Sequence, residues 1–174
     1  TPKAEAAILR GHPWVYDAEI LSIEGTPENG KLCDIVSKKG RYLGTGFLSE
    51  QSKIRIRLIS RNANDRFDEA FWERKLRWAW DYRKSVMAEE DLDCCRVIFG
   101  EADAFPGLTV DKFHDLLSVQ IMSIGMEGIK EATIDLDGTP VTVAVASGSG
   151  NAKALLESIK RGEKSYTFIE IMGC

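Results

Sequence analysis

Lys53-Ile54-Arg55-Ile56-Arg57-Leu58 alternates apolar and cationic residues without a break. Side chains alternate faces along a strand, so Ile54, Ile56 and Leu58 point one way and Lys53, Arg55 and Arg57 the other. A helix would scatter both sets around its circumference. The stretch therefore reads as a half-buried β-strand. Successive cations on its outer face sit ~7 Å apart, close to the phosphate spacing of an extended nucleic-acid backbone. The bland alternative is a solvated face whose charges keep a sheet edge soluble.

Working outward, Trp14–Ile23, Leu32–Val36, Tyr42–Phe47 and Ile54–Ile59 are short apolar or alternating runs. Gly25-Thr26-Pro27-Glu28-Asn29-Gly30 and Lys39-Gly40-Arg41 punctuate them. Such spacing predicts a small β-barrel over residues 1–61. This segment is basic, with ten Lys or Arg against seven Asp or Glu, inside a chain of net charge -4. A modestly basic module can sit in an acidic chain.

Downstream, a long helix is expected from about Asp65 to Met87, capped by Asp65. Phe67, Phe71, Trp78 and Tyr82 form its apolar face, with Leu76 and Ala79 beside it. Trp72 and Trp80 lie off that face. Strands at Arg96–Phe99, Leu108–Val110 and Leu116–Ile121 complete a small α+β unit over residues 62–126. From Ala132 the pattern becomes strand, helix, strand: Val141–Ala146, a Gly-rich loop Ser147-Gly148-Ser149-Gly150, a helix capped by Asn151, and Thr167–Ile171. One βαβ-like unit is too small to bury both faces of its sheet, so it should pack on the preceding unit or associate between chains as a homo-oligomer. The fold class read from the whole is α+β: a β pseudo-barrel, an α+β unit with one long helix, and a βαβ tail.

Several function classes are disfavoured. No stretch approaches the ~20 apolar residues of a membrane span, and the N-terminus has no signal pattern, so a cytoplasmic location is expected. His12 and His114 are the only histidines, too few for a His-rich metal site or a Ser-His-Asp arrangement. Cys33, Cys94, Cys95 and Cys174 contain no C-x-x-C spacing and read as reduced thiols.

Two longer phrases carry identity. Arg10-Gly11-His12-Pro13-Trp14-Val15-Tyr16 stands near the start. Gly100-Glu101-Ala102-Asp103-Ala104-Phe105-Pro106-Gly107-Leu108-Thr109-Val110-Asp111-Lys112-Phe113 follows the long helix. In this order they resemble the N-terminal half of the class I S-adenosylmethionine (SAM)-dependent ribosomal-RNA large-subunit cytosine-C5 methyltransferases, over about residues 3–126. The resemblance implies an RNA-binding PUA domain at 1–61 and, at 62–126, a connector to a Rossmann-like catalytic domain. It raises Lys53, Arg55 and Arg57 to candidate RNA contacts. Arg10 and His12 in the entry turn join them, as do Lys38, Lys39 and Arg41 at a hairpin tip. Each is expected to position a phosphate rather than read a base. Trp14 reads as core, and Asp103 as part of a tight turn with at most a secondary catalytic role. The expected partner is structured, ribosomal RNA.

The same family binds SAM in a doubly wound domain and uses a Cys nucleophile in a Pro-Cys context. This chain shows no such domain after residue 126 and no Pro-Cys dipeptide. Gly148 and Gly150 form a lone short loop, weak grounds for a cofactor. No cofactor and no methyl transfer by this chain alone are therefore expected. The tail, about 127–174, resembles the iron-only hydrogenase large subunit. In that family a Met-x-Cys-x-x-Gly-Cys motif holds an iron–sulfur cluster, and Met172-Gly173-Cys174 matches its first three positions. Cys174 is thus the only candidate metal ligand, and one thiol cannot hold a cluster that wants four. The two resemblances meet near Met122–Glu131 without a Gly/Ser/Pro linker, as a truncated or recombined reading frame would leave them. An iron-hydrogenase-related fragment and an inactive folded remnant stand as alternatives to RNA contact.

Overall fold

A computed structural model describes residues 1–26, 28–114, 116–127, 131–136, 139–147, 157, 160–163 and 168–172. The chain opens with a helix absent from the sequence reading, α1 (Pro2–Leu9). Its signals are plain in retrospect. Thr1 accepts from the Ala4 amide, Pro2 occupies the first turn, and a run of good helix formers follows. Strands β1 (Trp14–Tyr16), β2 (Leu32–Val36), β3 (Tyr42–Leu48) and β4 (Ile54–Ser60) form an antiparallel sheet of order β1-β4-β3-β2. The strand expected from Trp14 to Ile23 stops at Tyr16. A 3-10 turn at Asp17–Glu19 follows, its Glu19 carboxylate accepting from the Tyr16 amide.

The alternation in β4 governs packing on both sides of this sheet. Ile56 and Leu58 join Ile8, Val15, Ile35, Leu43 and Leu48 in a core beneath α1. Ile59 of β4 and Phe47 of β3 face the other way and enter a second core with Phe71, Trp80, Phe105 and Met126. The outer face of β3 and β4 is therefore covered by the rest of the chain, not fully open to solvent.

Helix α2 (Glu69–Val86) supplies much of that cover. It is capped by Asp68, whose carboxylate accepts from the Phe71 amide, and not by Asp65 as the sequence suggested. Asp65 instead accepts from Ser60 Oγ (2.6 Å) and pairs with Arg74 (3.2 Å). The buried face also differs from expectation. Phe71, Lys75, Ala79, Trp80 and Arg83 are buried, while Trp78 and Tyr82 are 61% and 58% exposed. Two cations lie in the middle of the buried stripe, so a hydrophobicity pattern rotates the face toward the wrong aromatics.

Those cations are paired. Lys75 Nζ donates to the carbonyls of Ile59 (3.0 Å) and Ala104 (2.7 Å), and lies 5.0 Å from the Phe105 ring centroid. It ties β4, α2 and the following turn together. Burial pushes its ammonium down to about 8, opposed by Asp65 and Asp103. The unfolded chain thus holds this proton up to a higher pH than the folded one. Stability contributed by this site is lowest below pH 8 and rises as pH climbs from 8 toward 10.5. Lys75→Met should flatten that rise, as read by urea denaturation of both proteins across the window. Parallel pH profiles would refute this assignment.

The α+β unit continues as a 3-10 turn at Glu89–Asp93, β5 (Cys94–Phe99), a second 3-10 turn at Gly100–Asp103, β6 (Leu108–Phe113) and β7 (Leu116–Ile121). The sheet is antiparallel, of order β5-β6-β7. A short helix, α3 (Ile124–Glu127), then returns to the first sheet: a Cβ on Gly125 would overlap the Phe47 ring. In the tail, β8 (Glu131–Leu136) pairs antiparallel with β9 (Thr139–Ser147), and β9 pairs in parallel with β10 (Phe168–Met172). The Gly-rich loop at Gly148 and Gly150, the cap Asn151 and most of the expected helix lie outside the described residues, as does Cys174.

Candidate nucleic-acid interface

The candidate cations fall into two groups. Lys53, Arg55 and Arg57 follow the β4 alternation, but two are engaged within the chain. Arg55 lies 3.5 Å from Asp17, and its guanidinium also donates to the Glu50 carbonyl. Arg57 is half-buried, 3.8 Å from Glu101, and donates to the Ile54 carbonyl (3.3 Å). Trp14 faces Arg57 across the β1–β4 ladder, and its Nε1–H donates to the same Glu101 oxygen (3.0 Å). The two phrases that carried the resemblance thus touch: Trp14 belongs to the first and Glu101 to the second. Trp14 is half-buried on the outer face, whereas the sequence placed it in the core. His12, Trp14 and Tyr16 share that face, with ring centroids 5.7 Å (His12–Trp14) and 6.2 Å (His12–Tyr16) apart.

The second group is exposed. Lys38, Lys39 and Arg41 occupy the turn between β2 and β3. Ser37 Oγ accepts from the amides of Lys39 (3.3 Å) and Arg41 (3.2 Å). Gly40 takes the left-handed conformation (φ 77°) that closes the turn. Three cations therefore stand on a braced hairpin tip rather than a loose loop.

Strand register places this tip at the same end of the sheet as the entry turn. Ser60 of β4 pairs with Thr45 of β3, so Tyr42 and the tip project past the C-terminal end of β4. Trp14 pairs with Arg57, so His12 lies toward that same end. Arg61, just past β4, donates from Nη2 to the His12 carbonyl (3.2 Å) at this end. Arg10, His12, Lys38, Lys39, Arg41 and Arg61 thus collect at one end of the sheet. Lys53 stands exposed at the opposite end. Arg61 was missed in the sequence, although it continues the period-2 alternation two positions past Ile59.

Asp103 proves to be a structural anchor. Arg83 grips it with two hydrogen bonds of 2.6 Å, and it accepts from the Phe99 amide (2.6 Å). Asp103 holds the Arg83 guanidinium above its ordinary pKa.

Residues 1–61 match the PUA-like domain family. This segment is a PUA-like domain. The relation extends past it. Over 130 residues, 75% of the chain, the sequence is 36% identical to Ribosomal RNA large subunit methyltransferase I of Klebsiella pneumoniae (strain 342) and of Escherichia coli O139:H28. The chain covers 32% and 33% of those two proteins, so it spans about a third of the curated relatives it matches. A protein named as a SAM-dependent methyltransferase from Streptococcus mutans superposes with a TM-score of 0.63 at 17% identity, covering 83% of this chain and 47% of that one. A second, named as a methyltransferase and complexed with SAH, superposes with a TM-score of 0.62 at 12% identity over 99% of this chain and 68% of its own. At those identities the likeness is one of fold. The PUA-like domain and the residues that follow it are thus related to the curated ribosomal-RNA methyltransferases, and the chain shares its fold with the two solved structures.

Residues 106–174 match the iron-only hydrogenase large subunit, C-terminal domain. The described residues do not suit an iron–sulfur cluster. None of them form a group of three or more His, Cys, Asp or Glu able to hold a metal. Cys33 is partly buried with its Sγ–H directed at the Gly46 carbonyl (3.6 Å), and burial pushes its thiol up to about 11. Burial raises Cys95 as well. Ligation needs thiolates, and both environments oppose them. No helix of the described residues is long and apolar enough to cross a membrane.

Proposed function

We propose that this chain is the RNA-binding portion of a SAM-dependent ribosomal-RNA methyltransferase, contacting structured ribosomal RNA through the PUA-like domain. The observation that carries the proposal is the convergence of Arg10, His12, Lys38, Lys39 and Arg41 at one end of the sheet, three of them on a braced tip. The braced turn backbone needs little ordering when the tip meets phosphates, and the three cationic side chains are exposed. Arg55 and Arg57 have a shared duty. Arg57 sets the outer face of β4 against the connector through Glu101, while Arg55 is held by Asp17 within the PUA-like domain, and only the unpaired part of each guanidinium remains for a phosphate. Lys53 is a peripheral contact at the far end.

The supporting relatives carry a methyltransferase name, and methyl transfer in the whole protein would lie with a domain outside residues 1–126. Residues 62–126 act in this reading as the connector that fixes the orientation of the PUA-like domain. Residues 127–174 form a tail whose β10 lies against β7, and Cys174 is assigned no role.

Simultaneous Lys38→Glu, Lys39→Glu and Arg41→Glu should weaken binding to a ribosomal-RNA hairpin by at least about tenfold while the circular-dichroism spectrum stays unchanged. Arg57→Gln should weaken it less and lower thermal stability, because its pairing with Glu101 is lost. Equal binding by the triple variant and the unmodified chain would place the interface elsewhere.

A further inference from the structure

Trp78, Tyr82 and Val86 are all exposed at four-residue spacing on α2, so they form one stripe along the helix. Two large aromatic rings in water are unusual unless something covers them. Cations accompany both. The Arg74 guanidinium lies 5.5 Å from the Trp78 ring centroid and is partly exposed; that of Arg83, 5.4 Å from Tyr82, is buried against Asp103 and stiffens the ring's base without offering a free charge. Arg77 is exposed one position before Trp78, held by Glu73 at 2.8 Å.

The stripe is continuous with the cationic end of the sheet. Arg74 pairs with Asp65 (3.2 Å), which accepts from Ser60 Oγ (2.6 Å) and Asn62 Nδ2 (3.2 Å) at the end of β4. Arg61 lies between those two and reaches the His12 carbonyl. One path therefore runs from the hairpin tip and Arg61, past Arg74, onto Trp78 and Tyr82. Rings beside cations, in line with exposed cations, suit a polyanion that carries flat rings. Aromatic platforms hold unpaired bases without regard to sequence, while paired bases keep their faces stacked on each other.

We infer that Trp78 and Tyr82 form a stacking platform for unpaired nucleotides that leave a structured RNA held at the hairpin-tip end of the sheet. The inference rests on the RNA-binding reading above and adds to it a preference for duplex RNA flanked by a single strand. Arg74 supplies a phosphate contact beside the first base.

The test compares the full chain on two fluorescein-labelled RNA hairpins, one blunt and one with a six-nucleotide single-stranded extension. The extended hairpin should bind roughly tenfold tighter. Trp78→Ala with Tyr82→Ala should remove that gain and leave blunt-hairpin affinity unchanged, whereas Trp78→Phe with Tyr82→Phe should keep most of it. The Phe variant retains the stacking surface, which separates loss of a platform from loss of fold. Equal affinity for both hairpins in the unmodified chain would overturn the platform and leave the RNA-binding reading standing. A shift in oligomeric state by the Ala variant with no change in RNA affinity would reassign the stripe to protein contact. Failure of both RNAs to bind would overturn the platform together with the reading beneath it.

Discussion

Asp103→Ala is expected to destabilise the fold by about 3–5 kcal/mol. The reason is the charge it would strand. Arg83 and Asp103 side chains are 10% and 11% exposed, and the guanidinium and carboxylate meet through two bonds of 2.6 Å. Arg83 also donates to the Arg96 carbonyl (2.9 Å), so the pair joins α2, β5 and the turn at Gly100–Asp103. Without the carboxylate, a buried guanidinium keeps its desolvation cost and loses its main partner. The Phe99 amide loses its acceptor as well. Replacing both partners, as Arg83→Met with Asp103→Leu, removes the charge that must be compensated. That variant should lose markedly less stability than Asp103→Ala alone. Urea denaturation of the three proteins reads the result. A double variant as unstable as the single one would show that the pair holds the turn by shape and not by charge.

Gly46→Val should cost about 3 kcal/mol or more, at the upper end of overpacking effects. A Cβ on Gly46 would run into the Arg57 carbonyl, with its carbon at 2.7 Å and Ile56 Cγ2 at 2.9 Å. The obstacle is backbone of the neighbouring strand, which cannot rotate aside as a side-chain tip would. The β3–β4 register also shifts between Thr45 and Gly46, so the ladder is already locally irregular there. Separating the strands at this point disturbs both cores, because Phe47 and Leu48 follow immediately on opposite faces. Thermal unfolding is the readout. An unchanged midpoint for Gly46→Val would mean that the strands approach less closely than described.

Much of the fold was legible because it rests on short-range signals. The alternation in Lys53–Leu58, the turn at Lys39-Gly40-Arg41 and the apolar runs at β2, β3 and β7 each locate a strand within a residue or two. The misplaced features share a different cause. Asp65 looks like a helix cap, but Asp68 lies nearer the helix and takes that role, leaving Asp65 to bind Ser60 and Arg74. Lys75 and Arg83 look like solvent-facing residues, yet each finds acceptors from distant segments, Ile59 and Ala104 for one and Asp103 for the other. A periodicity that counts cations as outward-facing must then rotate α2, and so it exchanged Trp80 with Trp78.

The candidate site shows the same division. Lys38, Lys39 and Arg41 could be placed on a hairpin tip from turn chemistry alone. That Glu101 would draw Trp14 and Arg57 together across 87 residues of chain separation from Trp14 left no local trace. Nor did the placement of Arg10 and His12 at the same end of the sheet as the tip, which depends on two strand registers acting at once. The long-range pairings move the candidate interface from the face of β4 toward the end of the sheet.

Binding of RNA phosphates by the exposed cations at that end has a signature in a salt titration. The logarithm of the full chain's binding constant for a ribosomal-RNA hairpin should fall linearly with the logarithm of salt concentration. The Lys38→Glu, Lys39→Glu, Arg41→Glu variant should show a slope shallower by about 2 to 3. A slope near zero in the unmodified chain, or the same slope in both proteins, would mean that these cations do not hold RNA phosphates.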